Sequence, residues 1–139
     1  MKKFIFAFIA FAMLFLACKK DDNSNTKNVQ LNEVFSLKIN QSAELENDGM
    51  KITLLEITED SRCPTNAECF WAGRAIAEFK VEKSGESLIR TLTDNPENDP
   101  TLSTAFTAFG HLVKLDEVTP YPDGNPIAQK DYVVRITIE

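Results

Sequence analysis

Three observations predict an all-β protein built as an antiparallel sandwich. Hydrophobic residues alternate with period two along several segments, turn residues punctuate those segments at short intervals, and no segment carries a convincing helical stripe. Seven or eight short strands without interleaved helices favour an immunoglobulin-like Greek key, with a small open barrel as the alternative. The 139 residues suffice for one domain with a real core.

The elements follow in order. Phe35, Leu37 and Ile39 share one face of a first strand, opposite Ser36 and Lys38. A short strand at 42–46 turns through Asn47-Asp48-Gly49 into a longer one at 50–58. Over 74–82, Ala75, Ala77, Phe79 and Val81 face one way, and Ser84-Gly85 turns that strand into 86–92. Two prolines and several Asx residues make Asn95 to Pro100 a loop. Residues 101–109 are ambiguous between helix and strand. A strand at 111–118 leads to a loop from Pro120 to Pro126, built around Asp123-Gly124-Asn125. In the last strand Tyr132, Val134, Ile136 and Ile138 form the core face.

The chain opens with an address. Lys2 and Lys3 precede an unbroken apolar run from Phe4 to Ala17, too short to span a bilayer and the right length for a signal-peptide core. Phe15-Leu16-Ala17-Cys18 resembles the lipobox of bacterial lipoproteins, with Phe15 where that pattern usually has Leu. The resemblance implies a cleaved signal peptide at 1–17 and an acylated Cys18, carrying palmitate-type chains, as the mature N-terminus. Several acyl chains exceed the two lipid signals that stable anchoring needs. The expected membrane contact is therefore the lipid on Cys18. Lys19-Lys20-Asp21-Asp22 resembles a signal that sends lipoproteins to the face of the outer membrane. With no hydrophobic residue from Asn23 to Asn28, residues 18–28 read as a flexible polar tether and 29–139 as the single β domain.

Charge narrows the partners. The net charge is −6, and residues 1–17 hold two of the 15 basic residues and no acid, so the remainder carries 13 against 21, or −8. Such a surface is soluble and repels nucleic acid and anionic headgroups. With Cys18 assigned to lipid, Cys63 and Cys69 remain, and in an exported protein they are expected to form a disulfide. A redox pair would want tighter C-x-x-C spacing, and zinc would want further Cys or His ligands.

Residues 59–73 read E-D-S-R-C-P-T-N-A-E-C-F-W-A-G. The D-S-R-C-P run followed by C-x-W-A-G resembles a family of small bacterial exported proteins and lipoproteins. Asn40 to Leu45 and Val118 to Pro122 resemble that family's flanking segments, so the likeness spans most of 33–139. It implies export and brings no activity. Physically, Pro64 restricts Cys63 and helps a short disulfide loop close, and Gly73 supplies a backbone conformation that others cannot reach. Trp71 is placed to pack on the staple with its indole N–H on a loop carbonyl, and Asp60 to take loop N–H groups and pair with Arg62.

Catalytic chemistry is sparse. His111 is the sole histidine, no G-x-S-x-G elbow accompanies it, and its position beside a strand suggests a surface imidazole. Asp94, Glu97 and Asp99 form an acidic loop whose spacing does not match a calcium-binding EF-hand. The expectation is a non-enzyme without metal or cofactor: a lipid-anchored envelope module presenting a disulfide-stapled loop. Arg62, Phe70 and Trp71 are its candidate ligand-binding residues, possible partners being an extracellular glycan or protein. The Pro120–Pro126 loop is a candidate neighbour. The competing readings are a purely structural envelope protein and a peptidase inhibitor.

Overall fold

The alternating segments become strands in the computed structural model, which describes residues 25–97 and 99–139. The strands are β1 (Thr26–Val29), β2 (Val34–Lys38), β3 (Ser42–Leu45), β4 (Lys51–Asp60), β5 (Ala75–Lys83), β6 (Glu86–Thr93), β7 (Ala105–Ala108), β8 (His111–Thr119) and β9 (Val133–Ile138), with one 3-10 turn at Gln129–Asp131. The expected signal peptide, Cys18 and most of the expected tether lie outside the described residues.

The strands form two sheets, ordered β1-β3-β4-β5-β6 and β2-β9-β8-β7. They are not closed into a barrel, so the protein is a β-sandwich. In the four-stranded sheet β7, β8 and β9 lie side by side in chain order, and β9 also pairs with β2. The five-stranded sheet is a β3-to-β6 meander. β1 is added to its edge, parallel to β3; the other pairings are antiparallel.

The inward faces are those the alternation indicates. Leu37, Ala75, Ala77, Phe79, Val81, Val134, Ile136 and Ile138 are fully buried, and Phe35 and Tyr132 nearly so. Phe79 of one sheet meets Phe106 of the other with ring centroids 6.5 Å apart and planes tilted 56°, an arrangement suited to the aromatic quadrupoles. Burying a side chain of that size contributes about 2–3 kcal/mol. Ser84 and Gly85 both take positive φ, 52° and 86°. That is the two-residue hairpin geometry whose twist matches the flanking strands.

Two boundaries differ from expectation. Residues 26–28, expected in the tether, belong to strand β1. Thr-Lys-Asn-Val holds one apolar residue, Val29, so it carries no alternation; backbone pairing to β3 makes it a strand. Residues 101–109 contain β7, whose pairing with β8 settles a segment that is ambiguous alone.

Candidate functional site

At the end of the sandwich where β4 stops, pairing continues past the sheet. The Ser61 N–H donates to the Arg74 carbonyl (2.8 Å) and the Cys63 N–H to the Ala72 carbonyl (3.1 Å). Gly73 makes this approach possible. Its φ is +68°, and a Cβ there would sit 1.9 Å from the Ser61 carbonyl oxygen. Cys63 and Cys69 then close a disulfide with Cα atoms 5.9 Å apart. The closed loop also rests on the Pro120–Pro126 loop, because the Thr65 N–H donates to the Pro122 carbonyl (3.0 Å). Gly124 lies so close to Asn66 that a Cβ would fall 2.9 Å from its amide nitrogen.

Arg62 faces inward, contrary to its expected place among the ligand-presenting side chains. Only 5% exposed, it donates from Nε and Nη2 to the two oxygens of Asp60 (2.8 and 2.6 Å). Nη1 reaches the Val118 carbonyl (2.6 Å) and Nη2 also the Pro120 carbonyl (2.9 Å). Asp94 Oδ2 lies 3.9 Å from Nε, and the Tyr121 ring covers the guanidinium at 4.9 Å. The physical reason is period two: in extended chain Arg62 lies on the same side as Asp60, whose carboxylate already points between the sheets. The planar fork of an arginine matches a carboxylate in two places and leaves donors for carbonyls.

Asp60 also accepts from the Tyr132 hydroxyl (2.9 Å). Burial opposes its charge, but the bonds from Arg62 and Tyr132 outweigh it and hold the carboxyl below its ordinary range. Burial, and then the bond to Asp60, pushes the Tyr132 phenol up to about 12. Arg62, against the cost of burial, is held more firmly protonated by Asp60. This cluster spans both sheets, since Asp60 ends β4 while Val118 and Tyr132 lie in or beside β8 and β9.

Phe70 and Trp71 point the other way. Phe70 is fully exposed and Trp71 is 68% exposed. The indole is therefore not packed away on the staple, as the sequence reading has it. Trp71 instead lines a cleft of about 220 Å³ together with Glu59, Ser61, Arg74, Asn95 and Glu97. Glu59 Oε1 accepts from Arg74 Nε (3.2 Å) and from the Ser61 hydroxyl (2.9 Å). Asn95 is fixed by donating to the Gly73 carbonyl (3.0 Å).

The acidic loop does not converge. Asp94 accepts from the Ala75 N–H (2.8 Å), whereas Asp99 takes Thr101 and lies 3.5 Å from Arg74. His111 lies at the far end of the sandwich, its Nε2 3.2 Å from Asp48 Oδ2.

Three contributors escape a reading of sequence alone. Tyr132 reads as an ordinary core-face residue, although a buried phenol needs a partner and that need was the available signal. Tyr121 belongs to a proline-rich loop with no pattern. Gln129 replaces a missing strand, taking the Ile57 N–H (3.0 Å) and donating to the Ile57 carbonyl (2.7 Å). Nothing local marks it, because its partner is 72 residues away.

No protein family, curated protein or solved structure matches the chain. What it does must therefore be argued from its own geometry.

Proposed function

We propose that this protein is a non-enzymatic binding module of the bacterial cell envelope, held to the outer membrane by lipid on Cys18. The stapled loop at 63–73 presents its ligand surface. One observation carries the reading: Phe70 and Trp71 are exposed on a loop immobilised by a disulfide, a Gly73 close approach and the buried Arg62 cluster. Large aromatics left in water on an otherwise acidic domain contribute little to its stability, and exposed aromatic surface marks interaction sites. Function also concentrates on loops that a rigid scaffold positions. The address rests on the residues from Lys2 to Asp22.

Two experiments test this. Cys18→Ala is expected to release the protein from membranes; continued attachment contradicts the lipid anchor. The full-length protein in detergent, screened against a glycan panel and a peptide library, is expected to give a ligand that the Phe70→Ala/Trp71→Ala double variant loses. That variant should keep its unfolding free energy within about 0.5 kcal/mol, as surface changes do. A large fall in its stability would make the aromatics architectural and favour the structural reading.

A further inference from the structure

We infer that the cleft beside Trp71 binds a single neutral pyranose unit of a glycan. The inference rests on the binding-module reading and adds its ligand class. The cleft combines a flat apolar platform with side chains that both donate and accept. Trp71 offers an exposed aromatic face, suited to the C–H face of a sugar ring. Around it stand the carboxylates of Glu59 and Glu97, the Arg74 guanidinium, the Ser61 hydroxyl and the Asn95 amide. A sugar hydroxyl is at once donor and acceptor, so a lining of mixed polarity satisfies it where a purely acidic or purely basic one leaves half its capacity unmet. Glu59 Oε1 is taken by Arg74 and Ser61, which leaves its second oxygen and the Glu97 carboxylate to accept from neighbouring sugar hydroxyls.

Charge and size select within that class. Glu59 is already compensated by Arg74 at 3.2 Å, so the carboxylate best placed to hold a cation is occupied. Glu97 and the −8 charge outside the signal segment repel uronic or sulfated sugars. The volume of about 220 Å³ is below the roughly 300–1,000 Å³ of pockets that enclose drug-sized ligands. It admits one ring, with the rest of a chain continuing in solvent. The walls are fixed before binding, Asn95 through the Gly73 carbonyl and the Trp71 segment through the staple. Little conformational entropy is then lost on binding.

Trp71 is the only tryptophan, so its emission reports occupancy directly. Full-length protein in detergent is titrated with cellotriose, maltotriose, mannotriose, N,N′,N″-triacetylchitotriose and a galacturonic acid trimer, alongside the peptide library. A saturable change with at least one neutral trimer is expected, with Kd on the order of 0.1–10 mM. By calorimetry, Trp71→Ala should weaken that trimer about tenfold or more, Trp71→Phe should restore part of the loss, and Glu97→Ala should weaken it a few-fold. Preference for the uronic trimer overturns the inference, as does silence of every neutral trimer at about 10 mM, the weak end of that range. If peptides bind through Trp71 while the trimers do not, the binding module stands and the glycan falls. If neither binds, both fall.

Discussion

The two ends of the sandwich are each clamped by a carboxylate, and they are clamped differently. At one end Asp60 takes two side-chain bonds and one backbone N–H bond from Arg62 and one bond from Tyr132, and Arg62 gives two more to the Val118 and Pro120 carbonyls. At the other, Asp48 in the β3–β4 turn places Oδ2 2.7 Å from Lys83 and 3.2 Å from His111. Its Oδ1 is buried without a hydrogen-bond partner among the described residues. The bond from Lys83, against burial and with help from His111, still keeps the Asp48 carboxyl low. The first clamp is complete and carries a displayed loop with two exposed aromatics. The second joins tight turns. A loop can leave a tryptophan in water only if other residues hold its shape, and the saturated cluster beneath the stapled loop meets that condition.

The largest effect that separates the ends is expected from Arg62→Ala. It strands a buried Asp60 carboxylate with Tyr132 as its one remaining side-chain donor, which costs about 3–5 kcal/mol. Thermal unfolding should show it as a fall of tens of degrees for a domain of this size. Asp60→Ala with Arg62→Ala should cost less than the sum of the two. Additive losses would mean that the pair does not act as one unit.

Gly73→Ala comes next. A Cβ 1.9 Å from the Ser61 carbonyl, at a φ of +68°, forces the two chain segments apart at a cost of about 2–4 kcal/mol. Denaturant unfolding would reveal it, and a change under about 0.5 kcal/mol would show that the loop is not held by this contact.

Tyr132→Phe should cost about 2 kcal/mol at neutral pH, the range for a hydrogen bond to a charged group. The sign follows from the raised phenol pKa: this stabilisation is full below the ordinary value of 10.0 and is lost as pH rises through about 12. The gap between wild type and variant should therefore narrow in alkali. Asp60 works the other way. Its lowered pKa makes its contribution full above the ordinary carboxylate value, and it is lost as pH falls through the folded value. A gap constant across alkaline pH would remove Tyr132 from the clamp.

Asp48→Asn should have the smallest effect, about 1 kcal/mol or less, because Lys83 is 26% exposed and water screens the pair. Denaturant unfolding of Asp48→Asn and Arg62→Ala under one set of conditions would measure the asymmetry. A loss equal to that of Arg62→Ala would erase the difference between the ends.

Much of this was legible in the sequence, for reasons that also explain what was not. Period two exposed the core faces of β2, β5 and β9 because each strand keeps one face buried and the other mostly polar, with Ile76 and Thr137 as buried exceptions. Asn47-Asp48-Gly49 and Ser84-Gly85 were legible as turns because positive φ restricts residue choice. β1 was hidden because a polar edge strand is specified by its neighbour. At the site, the disulfide follows from spacing and the expected export, and the Asp60–Arg62 pairing from proximity. That Arg62 faces inward while Trp71 stays in water was not legible. It depends on Val118, Pro120 and Tyr132, which sit more than 50 residues away in sequence.

The exposure of Trp71 on its immobilised loop is the central claim, and acrylamide quenching of its emission tests it most directly. The structure, with the indole 68% exposed, predicts red-shifted emission and ready quenching in the native protein. Blue-shifted emission that acrylamide does not reach would place Trp71 in the interior, and the stapled loop would then be part of the scaffold and not the surface it displays.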